Sequence, residues 1–377
     1  MRRSSWLDVV GAQADAEAAL TPAVRQALTR LDDQLFEAWN LGDNIILAWT
    51  SEAAELRFLV VRHYAIIEAG HGALMNSVLA GAKHVPPAQF TLLCDTLGAA
   101  AQVVRTSVGV PVEPRLIDSM VTRYGVSLVR SRAVLLLDAV GFSLRTPLEQ
   151  VAMLNSLSYS INSAYSQLLS GDVAINFART TTGDGFYIWN RATTPEASIA
   201  LYELMMLILA DNAIAASKAK RFPVPQLRAA FHVGEHYEFY QVEALNPTTF
   251  AYIVGQVTID LSRLIEKALP GQIVLGDFSI DWAGKAGQWR VDTLEFVERT
   301  ASTMDRLKGL VVGGDPIEQI RCYLTGEAAP GGRFNVTRYE TRDKHGLARR
   351  AYNAKINLHR RHAAPIFLGL RHKDVPR

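Results

Sequence analysis

The 377-residue chain predicts an α+β fold, a mixed sheet covered by helices over residues 131–325, with an all-helical region over residues 1–126 before it. Three observations carry that prediction. The first third reads as capped amphipathic stretches, consistent with helices. From Ser131 on, short apolar runs alternate with helical spacing, which is the pattern of strands and covering helices in one domain. The last 47 residues, 331–377, hold twelve Lys/Arg against three Asp/Glu, about +9, so the other 330 residues are about −7 of the formal +2. That composition sets residues 326–377 apart as a basic C-terminal extension.

In the first third, "TPAVRQALTRLDDQLFEAW" offers Thr21 as an N-cap with Pro22 at the first helical position. "SEAAELRFLVVRHYAIIEAG" reads as a second helix, capped by Ser51 and ended by Gly70. Pro86-Pro87, "VGVPVEP" and "RYG" punctuate further helices. No catalytic motif stands out here, and dimerisation or sensing is the expected role. "AVLLLDAVGFS" then reads as a buried strand ending in an acid and a glycine. "TPLEQVAMLNSLSYSINSAYSQLL" is a helix with a Thr146/Glu149 capping box, and "DVAINFARTTTGDGFYIWN" is two strands joined at a tight turn. A long helix capped by Thr194, the strand "PQLRAAFHVGEHYEFY", a helix ending at Pro270-Gly271 and the strand "IVLGDF" follow. The hairpin at 183–185 makes the sheet mixed.

Composition excludes some classes. Hydrophobic residues make up 49%, enough for real cores, and apolar stretches such as "LYELMMLILADNAIAA" take up Asp, Asn or Glu before a clean span is complete. No membrane helix and no signal peptide are expected. Cys94 and Cys322 are too few for a disulfide framework, which points to the cytoplasm. No "GxxxxGK[ST]" is present, so a P-loop nucleotidase is excluded at the motif level. "HVGEHYE" places His232 and His236 on one face of a strand but about 13 Å apart, too far to share an ion. The tail's charge is read as a solvated or subunit-clasping extension with "APIFLGL" docking on apolar surface; nucleic acid is not the expected partner.

Chemistry concentrates elsewhere. Asp138 ends a buried strand and Asp184 sits at a hairpin tip 46 residues later, with a helical crossover between. Two carboxylates on adjacent strands repel unless something neutralises them, and divalent cations supply that. Beside Asp138, "AVGFS" offers a turn whose N–H groups could cradle phosphate oxygens, helped by the next helix N-terminus. Each piece alone also fits an ordinary cap or hairpin.

In combination these motifs resemble the class III nucleotide cyclases, the adenylyl and guanylyl cyclase family. The residues that carry the resemblance are "LLLDAVGFS", "TTTGDGFYIW", "AAFHVGE", "YIVGQVTIDLSRLIEKALPGQIVLG" and "DRLKGL", in family order over about residues 131–325. The resemblance implies a ferredoxin-like βαββαβ core and a homodimer with active sites shared between two copies. It implies two divalent cations, Mn²⁺ or Mg²⁺, on Asp138, Asp184 and the Ala139 carbonyl. Gly141, Phe142, Ser143 and Lys308 match phosphate contacts, and Arg263 matches the arginine that stabilises charge on the transferring phosphoryl group.

The base-reading positions depart from the family. Thr180 and Tyr252 stand where adenine readers have lysine and aspartate, the guanine-reading pair is absent too, and the ribose asparagine falls on Ile259, with Thr258 or Asp260 as neighbours one register away. A hydroxyl and a phenol in a pocket narrowed by tyrosine suit a one-ring base. This pattern is similar to the bacterial pyrimidine cyclases of Pycsar antiphage systems, which implies UTP, or CTP, as substrate and a separate effector protein that responds to the cyclic product. A purine cyclase with an atypical pocket, or an inactive nucleotide-sensing module, stays open beside it.

Overall fold

The computed structural model describes residues 21–52, 55–70, 72–220, 223–242, 249–284, 287–330, 334–342 and 346–376. The signal-peptide question concerns residues 1–20 and lies outside them. Contacts divide the chain into two units: Met1–Arg130 with His236–Val254, and Ser131–Glu235 with Gly255–Arg377.

The first unit is not all-helical. Helix α1 (Pro22–Trp39) starts as expected, with the Thr21 hydroxyl accepting from the Val24 N–H. The stretch read as a second helix instead contributes strand β2 (Glu55–Arg62), which pairs antiparallel with β1 (Asn44–Glu52) and β3 (Gln102–Thr106). Ser51 lies in β1 and caps nothing. Only His63–Glu68 is helical (α2), with Gly70 at positive φ just beyond. The physical reason is that this sheet is buried on both faces. Ile46, Trp49, Phe58 and Val60 enter one core with α1 and α5 (Pro114–Thr122). Ile45, Leu47, Leu59 and Val61 enter another with α3 (Ala73–Ala80) and α4 (Pro87–Leu97). A strand that is apolar on both sides loses the alternation that would reveal it.

Lys83 is fully buried here, donating to the carbonyls of Val78 (3.1 Å) and Val126 (2.8 Å). Burial pushes its pKa down to about 8, against a smaller opposing pull from Asp118. Between about pH 8 and 10.5 the unfolded chain therefore holds a proton that the folded chain has lost, so folding is favoured as pH rises. Urea denaturation should show wild type gaining on the order of 2–3 kcal/mol relative to Lys83→Met from pH 7.5 to 10. A pH-independent difference would contradict this.

The second unit matches the expected α+β architecture. Its core runs β4 (Val126–Ala139) from Ser131 on, α6 (Pro147–Ser170), β5 (Phe177–Thr181), β6 (Gly185–Asn190), α7 (Pro195–Lys218) and β7 (Leu227–Val242) as far as Glu235, and the strands lie in the order β7-β4-β6-β5. That is the ferredoxin-like βαββαβ arrangement, fourth strand beside the first. Helix α8 (Gln256–Lys267) follows the short strand β8 (Thr249–Val254), and β9 (Ile273–Gly276) pairs parallel with β7, making the sheet mixed. Thr146 and Thr194 cap α6 and α7 as their sequences require, the former in a full capping box with Glu149. Helix α7 has the length and hydropathy of a membrane span, 1.6 over its best window, but 78% of that window is buried inside the protein. Its side chains fill the core against β4, β7 and the helix α9 (Thr293–Thr303).

The basic tail is a second correction. Beyond the β10–β11 hairpin (Ser279–Gly284, Gly287–Asp292), strands β12 (Val311–Val312) and β13 (Asp315–Leu324) extend the sheet. The small β14–β15 pair (Gly326–Ala328, Phe334–Val336) and β16 (Arg338–Arg342) come next. Strand β17 (Ala348–Arg360) then inserts between β13 and β9 as an interior strand of the sheet. Residues 326–377 are thus part of the second unit rather than an appendage. Ala354, Ile356 and Leu358 point into the core, while Lys355, Asn357 and His359 take the other face. The "APIFLGL" stretch does pack, as the edge strand β18 (Ile366–Leu368) on β17.

Candidate active site

Asp138 is the penultimate residue of β4 and is buried; Asp184 tips the β5–β6 turn. The two strands pair so that Asp138 faces Gly185, and the Ala139 N–H donates to the Asp184 carbonyl at 3.0 Å. The glycines flanking Asp184 have separate reasons. Gly183 has φ +100°, which the turn needs. At Gly185 a Cβ would lie 1.9 Å from the Leu137 carbonyl oxygen, so only glycine lets β6 approach β4 here. The hairpin therefore brings the Asp184 turn against the end of β4, near enough for its charge to act on Asp138. Burial raises the Asp138 pKa, Arg228 pulls it down, and the Asp184 charge raises it further.

Arg228 is a functional candidate that sequence reading missed. It lies on β7, the neighbouring strand, and donates from Nε (2.8 Å) and Nη2 (2.6 Å) to Asp138 Oδ2. A charged residue in the otherwise apolar run "LRAAFHV" was the available clue. The pair of carboxylates is thus flanked by a guanidinium, a countercharge suited to phosphate oxygens as well as to Asp138.

The donor set fits hard divalent cations: a carboxylate at the end of β4, another on the β5–β6 turn and the Ala139 carbonyl are all oxygen. Among the described residues no group of three or more His, Cys, Asp or Glu gathers to hold a metal. A pair of carboxylates is what Mg²⁺ commonly uses when substrate phosphates complete its shell. The turn after Asp138 has Gly141 in the left-handed region (φ +67°) and a 3₁₀ turn at Phe142–Leu144. The following helix end is already satisfied, however. Glu149 accepts from the Thr146 N–H at 2.8 Å and holds its own charge at the N-terminus of α6. A phosphate here would have the Gly141–Phe142–Ser143 backbone alone, without the help of the α6 N-terminus expected from sequence.

The remaining candidates have partners of their own among the described residues. Thr180 sits opposite Tyr187 across β5–β6, and the Tyr187 hydroxyl donates to the Thr258 carbonyl at 3.1 Å. Arg263 is half-buried on α8 and pairs with Glu266 at 3.4 Å. Lys308 is exposed and pairs with Asp305 at 2.8 Å. Ile259 is exposed on α8. Asp260 is committed elsewhere: it binds Arg349 (2.5 Å), Gln256 (2.9 Å) and His232 (3.5 Å). Burial opposes its ionisation, but these partners, His232 first, hold its carboxyl below the usual range. Those bonds lock α8 to β7 and β17, a structural duty at odds with holding ribose. Tyr252 belongs to the first unit, where it stacks on Phe239 across the β7–β8 hairpin with centroids 5.8 Å apart.

No family model matches the chain, and no curated protein does. Among solved structures it is similar to the guanylate cyclase domain of a Catenaria anguillulae protein in complex with GTP. That match has 13% identity and TM-score 0.36 and covers 62% of this chain and 99% of the other. It is also similar to an adenylyl cyclase from P. aeruginosa (14%, TM-score 0.34, 61% and 95%) and to Trypanosoma brucei adenylate cyclases in their monomeric state (12%, TM-score 0.31, 63% and 93%).

Proposed function

We propose that this chain is a nucleotide cyclase that converts a pyrimidine nucleoside triphosphate, UTP before CTP, into its 3′,5′-cyclic monophosphate and pyrophosphate. The observation that carries the proposal is Asp138 at the end of β4 with the Asp184 turn set against it by the close approach at Gly185, in a βαββαβ sheet. Asp138, Asp184 and the Ala139 carbonyl would hold divalent cations, which when bound acidify the ribose 3′-hydroxyl and neutralise the departing pyrophosphate. The 3′-oxygen forms a bond to the α-phosphorus as the bond to the β-phosphate bridging oxygen breaks, and the hydroxyl proton passes to solvent. Arg263 offers a planar fork to the equatorial oxygens as they gain charge, and Lys308 with the Gly141–Ser143 backbone takes the terminal phosphates. Arg228, beside Asp138, would help neutralise the triphosphate once cations satisfy the carboxylate.

Thr180 and Tyr252 are the base readers in this reading, and Ile259 lines the ribose side. Their hydroxyls replace the charged pair that adenine needs, which supports a pyrimidine. A role in antiphage signalling through a separate effector rests on the same resemblance.

Arg263 pairs with Glu266 and Lys308 with Asp305, and in this reading a second copy completes each site. An apolar stripe leads from the Asp138 turn along α6: Leu144 (87% exposed), Leu148 (79%), Val151 (55%) and Tyr159 (69%). Such a stripe suits burial against a second copy. Asp184→Ala and Arg263→Ala, each inactive alone, should recover about a quarter of full activity when mixed in equal amounts, because half of the random dimers carry one intact site of two. No recovery despite demonstrated subunit exchange would contradict the shared site.

One observation favours a second reading. The Arg228 guanidinium is a countercharge to Asp138 supplied by the chain itself, which suits a nucleotide-sensing module with no turnover. Nucleotide binding without cyclic product would mark that case.

A further inference from the structure

The C-terminal strands build a cavity of about 830 Å³ that the reaction above does not use. Its floor is the outer face of three adjacent strands. Tyr323 on β13 pairs in register with Lys355 on β17, and Asn357, two residues on, pairs with Phe367 on β18. Phe334 of β15 and the turn Arg371–Asp374 form the walls. Two large aromatic side chains stand open at the rim, Phe334 at 61% and Phe367 at 60% exposure.

The polar groups are as one-sided as the apolar ones. Lys355, Arg371 and Lys373 converge with a single acid, Asp374, which Arg371 already binds at 2.8 Å. The Lys355 ammonium makes one long bond, 3.3 Å, to the Gly369 carbonyl. Burial and then the Arg371 charge push its pKa down, partly offset by Asp374, so the cluster is short of negative charge. The Asn357 amide donates to the Tyr323 hydroxyl at 3.3 Å, and its Oδ1 has no partner among the described residues. A buried acceptor without a donor costs stability, and a turn about χ2 would present it to the cavity.

We propose that this cavity is a second ligand site, distinct from Asp138 and Asp184, that takes a nucleoside monophosphate. The base lies against Phe334 and Phe367 with an N–H facing the Asn357 amide, and the phosphate sits on Lys355 and Lys373. Aromatic faces accept any base, and lysines provide point charges for phosphate. A concave site of this volume falls within the range for small ligands. A strand of nucleic acid would instead need a groove open at both ends, lined with cations along its length.

Equilibrium dialysis of the full chain with radiolabelled uridine 5′-monophosphate tests the site without requiring turnover. Affinity should be unchanged in Asp184→Ala and fall roughly tenfold in Lys355→Gln and in Phe334→Ala, the loss expected for one charge-assisted or stacking contact. Phe334 is on the rim, so its variant keeps the fold and decides the matter if Lys355→Gln does not fold. Inorganic phosphate should compete at least about tenfold more weakly than the nucleotide, for want of the stacking contacts. Binding lost in Asp184→Ala but kept in Phe334→Ala would overturn the proposal. So would equal competition by inorganic phosphate, which marks a plain anion site, or preferential binding of a uridine decamer RNA that the mononucleotide cannot displace.

Discussion

Asp184→Ala is expected to lower nucleotide turnover on the order of 10³-fold or more while leaving the melting temperature within a few degrees of wild type. The expectation has two parts. Asp184 stands at a turn tip, where its side chain accepts only a 3.3 Å bond from Thr182, so little packing depends on it. Its other duty, a main-chain carbonyl bond to Ala139, survives any side-chain change except proline. The charge, by contrast, is half of what could hold a cation against the α-phosphate. Asp138→Ala should be equally inactive but a poorer test, because it strands Arg228 beside an apolar wall and costs about 1–3 kcal/mol in addition. A variant at Asp184 that keeps full rate would remove the cation site from the account.

Arg306→Met carries the largest expected effect on stability. Glu203 is fully buried in the middle of α7 and is held by Arg306 through Nε at 2.8 Å and Nη2 at 2.5 Å, with the Thr303 hydroxyl at 3.2 Å. Removing the guanidinium leaves a carboxylate in a hydrocarbon core, a change that typically costs 3–5 kcal/mol. Burial already raises the Glu203 pKa in spite of Arg306, and the variant raises it further. Folded protein then binds a proton that the unfolded chain has released, so the variant regains stability as pH falls below neutral. Urea titrations should show a large deficit at pH 8 that shrinks toward pH 5. A deficit that does not change with pH would mean that Glu203 stays charged.

The site was more legible in the sequence than the frame around it, for reasons that lie in particular residues. "GDG" and the "LLLD" strand are local features: a turn that needs positive φ at Gly183 and a close approach at Gly185 leaves its mark within three residues. The capping residues Thr21, Thr146 and Thr194 were legible on the same ground. The strands β1 and β2 were hidden because both of their faces are buried, so apolar residues run together as they do in a helix. Strand β17 was hidden by net charge. Its alternation of Ala354, Ile356 and Leu358 with Lys355, Asn357 and His359 is a strand pattern, but the surrounding arginines drew the tail toward solvent. Arg228 and the Arg349–Asp260 pair could not be found locally, because each joins segments about 90 residues apart in the chain. That distance also hides from the sequence that Asp260, one register from the ribose position, is bound by Arg349.

Incubating purified protein with Mn²⁺ or Mg²⁺ and each of ATP, GTP, CTP and UTP, and resolving the products by mass, tests pyrimidine cyclisation itself. Cyclic UMP, with lesser cyclic CMP, is the predicted result, and Asp184→Ala should make neither. Cyclic AMP or cyclic GMP as the main product would contradict the pyrimidine assignment, and no cyclic product from any of the four would contradict the cyclase itself.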